Sequence, residues 1–166
     1  MRKRLGDTAD RISPATFRHE QVAVLARREP ATITSGAPLS AAIVAMQDSA
    51  TRSVLVTDED GKLVGILTER DIVGRVLVAD ADGTGPVDQY MSPLQDALEM
   101  ESELGDALEL MARGGYQGLP VVDTDGRVAG LLDARDVMEY IAEAFPQEVL
   151  NLPPRPHQLM EQPEGA

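Results

Sequence analysis

The chain has 166 residues, 43% hydrophobic but only 3% aromatic and without tryptophan, so one domain or two small ones must be filled by aliphatic side chains. A formal net charge of −13 argues against a nucleic-acid backbone or an anionic membrane surface as partner, though not against a small anion in a local basic pocket. Cysteine is absent, which excludes a disulfide framework, a thiolate metal site and a cysteine nucleophile.

No apolar run approaches the roughly 18 residues of a membrane span. No apolar stretch follows the basic start Met1-Arg2-Lys3-Arg4, so a signal peptide is not expected. The expectation is a soluble, cytoplasmic protein with no membrane or nucleic-acid partner.

In chain order, Ser13-Pro14 caps a helix expected to run to Arg28, within an N-terminal segment of residues 1–28. The β-branched stretch "ATIT" at 31–34 reads as a short strand. Pro38 suits a first helical turn, and Leu39, Ile43 and Met46 follow at helical spacing, giving a helix to about Ala50. Residues 53–57 form a strand of the buried type, Asp58-Glu59-Asp60-Gly61 is hairpin turn chemistry, and 63–67 is the return strand. A helix is expected over 69–78, and "DADGTGP" at 80–86 reads as a linker. Beyond it come a strand near 97–100 and a helix over 103–113, capped by Ser102 and ended by Gly114-Gly115. Strands at 118–122 and 128–132 precede a last helix from Ala134 to Phe145, stopped by Pro146. The tail over 146–166 is proline-rich and expected to be extended, with Leu150 and Leu152 available to dock on a groove.

The chain repeats itself. "LVTDEDGKLVGILTERDIV" (55–73) aligns with "PVVDTDGRVAGLLDARDVM" (120–138) at an offset of 65 residues without a gap. Upstream, Leu39, Ala42 and Met46 fall on Leu104, Ala107 and Met111; downstream, Arg70 and Asp71 fall on Arg135 and Asp136. Two copies are too few for a solenoid, so the pattern predicts a mixed α/β (α+β) fold: two strand–helix–strand–strand–helix units, over 29–79 and 87–145, related by a pseudo-two-fold.

The unit carries Gly65-Ile66-Leu67-Thr68-Glu69-Arg70-Asp71 before its last helix and resembles the CBS (cystathionine beta-synthase) domain; "LPVVD" at 119–123 also resembles that family's central strand. The second copy, Gly130-Leu131-Leu132-Asp133-Ala134-Arg135-Asp136, departs from the motif at Asp133. The resemblance implies two copies packed through their sheets into one module, and a homodimer of such modules. It also implies clefts that bind AMP, ADP, ATP or S-adenosylmethionine as a regulatory ligand, and regulation of a partner protein that the sequence does not name. No covalent cofactor is implied.

Thr68 and Asp71 fit two roles on spacing alone. They fit a capping box at a helix start, and they fit a site where free N–H groups and a hydroxyl meet phosphate while the acid accepts ribose hydroxyls. In the family the corresponding Asp holds ribose. Arg70 is either a surface cation or a source of charge for phosphate. Arg52 stands where family members often carry a basic residue near phosphate. Ile33 and Val54 stand near adenine by family position; core is the plain alternative, and for Val54 the stronger one.

The second copy has Asp133 in place of Thr68 and Gln117 in place of Arg52. Asp caps a helix as well as Thr. Beside phosphate, however, a second anion at about 4 Å costs on the order of 1–4 kcal/mol. Asp133, Arg135 and Asp136 therefore form a weaker second site, left empty or taking an uncharged adenosyl group through Asp136. The acidic turns at 58–61 and 80–83 resemble calcium-loop starts, but Lys62 and Met91 stand where ligands belong. His19 and His157 are far apart, and no nucleophile elbow, Walker loop or glycine-rich dinucleotide loop occurs. The reading is a non-enzymatic sensor with no metal site and no catalytic residues; the alternative is a ligand-free dimerisation or scaffold module with a degenerate cleft.

Overall fold

The structure, a computed structural model, describes residues 14–78, 82–93 and 96–144. The Ser13 cap, residues 79–81, Phe145, the Pro146 stop and the proline-rich tail lie outside the described residues. The elements are α1 (Pro14–Phe17), β1 (Thr32–Thr34), α2 (Leu39–Asp48), β2 (Ser53–Thr57), β3 (Leu63–Thr68), α3 (Glu69–Asp71), β4 (Ser92–Pro93), β5 (Leu98–Glu99), α4 (Leu104–Gly114), β6 (Gly118–Val122), β7 (Val128–Asp133) and α5 (Ala134–Ala144). They form a four-stranded sheet, β1-β2-β3-β4, and a three-stranded one, β5-β6-β7. The fold is the mixed α/β pair that the repeat predicts.

Each repeat is built by the same logic. β1 pairs in parallel with β2, and β5 with β6, so a crossover helix must join them, α2 in one case and α4 in the other. Leu39, Ala42 and Met46 bury one face of α2; Leu104, Ala107 and Met111 do the same on α4. β2 and β3 are antiparallel, as are β6 and β7. Their turns are set by an aspartate. Asp58 Oδ1 accepts the Asp60 and Lys62 N–H groups at 3.0 and 2.9 Å, and Asp123 Oδ1 accepts those of Asp125 and Arg127 at 2.9 Å each. Asp58, the first acid of one calcium-like run, is thus a turn former. Among the described residues no group of three or more His, Asp or Glu is placed to hold a metal.

The N-terminal segment is not one helix to Arg28. Of its described residues only Pro14–Phe17 is α-helical, and a 3-10 turn follows at Val22–Val24. Its backbone is drawn into other bonds: the Val22 and Ala23 N–H groups donate to the Ser102 and Met100 carbonyls at 2.8 and 3.0 Å, and Glu20 O accepts from Leu104 N–H at 2.8 Å. The same pattern recurs 65 positions on. A second 3-10 turn at Val87–Gln89 has Val87 N–H donating to Ala37 O at 2.8 Å, while Gly85 O accepts from Leu39 N–H at 3.1 Å.

These leader segments are exchanged between the repeats. Phe17, Val22 and Ala26 are buried with Leu98, Leu104, Leu119, Val121 and Leu132 in the second core. Val87 and Tyr90 are buried with Leu39, Val54, Val56 and Leu67 in the first. The Phe17 and Tyr140 rings stack at 5.5 Å between centroids, tying α1 to α5. The two hairpins meet at the pseudo-axis, where Lys62 pairs with Arg127 as an antiparallel bridge.

Four further expectations change. The helix over 69–78 is α-helical only to Asp71 and continues as a π-helical stretch, Ile72–Val78. Pro38 is the N-cap of α2 rather than part of its first turn, and that helix ends at Asp48. Glu103, not Ser102, is the N-cap of α4, because the Ser102 hydroxyl already accepts the Glu99 N–H at 3.0 Å. The strand near 97–100 is shortened to Leu98–Glu99, since Met100 turns to bond the leader.

Candidate functional site

Thr68 ends β3 and caps α3. Its Oγ1 accepts the Asp71 N–H at 3.2 Å, its N–H donates to Asp71 Oδ2 at 2.9 Å, and its hydroxyl donates to the same oxygen at 2.6 Å. The capping box is therefore formed, as both readings of the motif require. Asp71 Oδ1 accepts the Ser92 hydroxyl at 2.8 Å and lies 3.6 Å from Arg75 Nη2. Arg75 in turn donates to the carbonyls of Tyr90 and Met91 and to Ser92 Oγ. The acid is thereby oriented by a leader that comes from the other repeat's end of the chain.

Ser92 also lines a cavity of about 130 Å³ between the repeats, with Ile66, Pro93, Asp96, Tyr116 and Leu119 among its walls. The Tyr116 hydroxyl donates to Asp96 Oδ2 at 3.1 Å. That bond, with burial and the carboxylate's charge behind it, raises the phenol's pKa above its ordinary value.

The second repeat places its acid differently. Asp133 Oδ1 accepts the Arg135 N–H at 2.7 Å, so Asp replaces Thr at the helix start. Asp136 is 13% exposed and meets Arg28, whose Nε and Nη2 stand 2.8 and 2.7 Å from Oδ1. The hydrogen bond first, then the charge of Asp136, raises the Arg28 pKa. Asp136 Oδ2 is buried without a hydrogen-bond partner.

The other candidates are scattered. Val54 is fully buried in the first core, and Ile33 packs half-buried against the same core. Arg52 donates to Gln117 Oε1 at 3.1 Å, so the two positions compared in sequence touch across the pseudo-axis. Its Nε lies 3.7 Å from Glu69 Oε2. Arg52, Glu69 and Arg135 line a separate groove of about 460 Å³ beside Ile43, Met46 and Ile72. Arg70 is exposed. Sequence reasoning missed Ser92, Tyr116, Asp96, Arg75 and Arg28. Arg75 was legible as the i,i+4 partner of Asp71. The 65-residue offset carried upstream to Val22 and Val87 marks the leaders that hold Arg28 and Ser92, but carries no signal of the acids they meet.

Among the described residues no helix is long and apolar enough to cross a membrane. The family model for the CBS domain matches twice, over residues 22–78 and 87–143. An uncharacterized 17.7 kDa protein of Acidianus ambivalens is 35% identical over 85 residues, which is 51% of this chain and 51% of that protein. The chain thus spans about half the length of that relative. Among solved structures, the CBS-domain containing protein ATU1752 from Agrobacterium tumefaciens is 26% identical, covers 73% of this chain and 98% of its own, and superposes with a TM-score of 0.65. The CBS domain pair of protein MJ0100, solved with 5'-methylthioadenosine and S-adenosyl-L-methionine, has 23% identity and a TM-score of 0.67 over 74% and 96% of the two chains. Two gapless copies of one motif, the same strand pairing in β1-β2-β3 and β5-β6-β7, and two matches to one family model lead to the same place: this chain belongs to the CBS domain family and carries the domain as a tandem pair.

Proposed function

We propose that the protein is a regulatory module that binds an adenosine-containing ligand in the cleft between its repeats and acts in trans on a partner protein. The observation that carries this reading is the Ser92 hydroxyl, which lines the inter-repeat cavity and bonds the motif acid Asp71. A sugar diol entering there would replace the Thr68 and Ser92 hydroxyls on the Asp71 oxygens, one donor for another, at little cost in hydrogen bonds. Related pairs support the class of ligand: MJ0100 was solved with S-adenosyl-L-methionine and 5'-methylthioadenosine, CBSX2 with AMP, and the cytosolic domain of the Mg2+ channel MgtE with ATP. Adenosine is the shared part. The role is non-catalytic, and the place of action cytoplasmic. Exposed Val44, Val73, Leu77 and Met138 on the helices support self-association as a homodimer.

Ligand binding shifts a population and works only through unequal affinity for two states. Thermal unfolding with AMP, ADP, ATP and S-adenosylmethionine tests it. A ligand at 100 times its Kd adds about 2.7 kcal/mol, and Asp71→Asn should remove that gain. A wild-type chain that none of these compounds stabilises at millimolar concentration would overturn the reading. Sedimentation that gives a monomer mass at every concentration would overturn the dimer.

Two observations favour a second reading, a dimerisation or scaffold module. Both Asp71 oxygens already have partners, and the cavity is smaller than the roughly 300–1,000 Å³ of ordinary ligand pockets. That reading expects a dimer and no ligand effect.

A further inference from the structure

The leaders offer the two motif acids different partners. Ser92 stands opposite Ile66 of β3 and gives Asp71 a hydroxyl; Arg28 stands opposite Leu131, the residue that the repeat aligns with Ile66. Arg28 sits on the exchanged leader, bridged to Leu131 of β7, and puts two guanidinium nitrogens on Asp136 Oδ1. The other oxygen, Oδ2, is sealed from solvent without a donor. A carboxylate with one oxygen bonded and one dry and unpaired is unusual, since buried polar atoms are nearly always satisfied. It leaves an acceptor beside Arg28 with room in its valence for one more donor. Arg28 itself is half exposed, with a side-chain exposure of 50% against 13% for Asp136. Its head can reach water, but leaving would strip a mostly buried carboxylate of its charge partner, so Arg28 yields only to a ligand that replaces that bond.

We propose that Arg28 is a gate on the second cleft: the ligand fills the Asp71 cleft first, and reaches Asp136 only when Arg28 is displaced. The proposal rests on the adenosine reading. It makes the inequality of the two sites a matter of one removable side chain, and not only of Asp133 standing where Thr68 stands in the first repeat. A ligand hydroxyl that reaches Asp136 would satisfy Oδ2, so occupation of the second cleft is held back by the gate and not by the acid.

Calorimetric titration of the full chain with AMP tests it, using wild type, Arg28→Met and Arg28→Gln, each checked for folding by circular dichroism. Wild type should bind one AMP per chain. Either variant should show a second event, or a second event at least tenfold tighter, and Asp136→Asn added to it should remove that gain. Unchanged stoichiometry and affinity in both variants would overturn the gate with the adenosine reading intact. So would a variant that loses an event the wild type has, which would make Arg28 a ligand contact. If no AMP, ADP, ATP or S-adenosylmethionine binds wild type or variants, the adenosine reading falls and the gate with it. The unaltered chain gives an independent readout. The Arg28 Nε–H resonance should stay in place through the first equivalent of AMP and move only with the second; movement with the first would also overturn the gate.

Discussion

Gly130 and Ala26 approach so closely that a Cβ on Gly130 would lie 2.8 Å from the Ala26 carbonyl oxygen. The relationship recurs in the first repeat, where a Cβ on Gly65 would collide with Met91 and lie 3.0 Å from the Ser92 carbonyl oxygen. The motif glycine therefore makes room for the exchanged leader that orients the acid six residues on. Gly130→Ala should destabilise the fold by about 1–3 kcal/mol, the usual cost of overpacking. Gly65→Ala should do the same and also shift the Ser92–Asp71 contact. Urea denaturation of both variants measures this.

Ala50 and Gly115 occupy the same place in the two repeats, just past α2 and α4, and both have left-handed backbone, φ 49° and 66°. Only glycine adopts that conformation without steric cost, and an L-residue there carries roughly 1–2 kcal/mol of strain. Ala50→Gly should raise stability by about 1 kcal/mol, and Gly115→Ala should lower it by a similar amount. The midpoints of urea denaturation give both signs.

Asp88, on the second leader, accepts the Ser35 hydroxyl at 2.5 Å and the Gly36 N–H at 2.6 Å. These bonds, the hydroxyl's first, hold its pKa below the ordinary carboxylate value. A depressed folded-state pKa gives stability that is present above the unfolded value of about 3.9 and lost as pH falls through the folded one. Asp88→Asn should cost about 1 kcal/mol at pH 7, a figure discounted for solvent contact. The difference from wild type should vanish in strong acid. Parallel denaturation curves at neutral and low pH check it.

Because each core is completed by the other repeat's leader, neither repeat should fold alone. A fragment beginning at Pro86 lacks Phe17, Val22 and Ala26, and should give a circular dichroism spectrum of unfolded chain. The intact chain should unfold in one cooperative step. Two separate calorimetric transitions would contradict the exchange.

The repeat, the order of elements and the motif at 65–71 were all legible in the sequence, because they are local matters. Turn aspartates, the apolar period of α2 and α4, and a Thr-x-x-Asp helix start act over a few residues each. The capping box at Thr68 and Asp71 formed for that reason. What stayed illegible was where the leaders go. Residues 14–28 look helical in isolation, but their N–H and C=O groups find better partners at 100–105, on the far repeat, and the long helix is given up. Arg28, Ser92, Tyr116 and Asp96 thus reach the clefts through contacts that span 20 or more residues of chain, and neither spacing nor propensity encodes such a meeting. The sequence by itself determined two copies of one unit and the acid in each. Only the tertiary structure decided that one acid faces a hydroxyl and the other an arginine, since burial and pairing are properties of neighbours that the chain brings together when it packs.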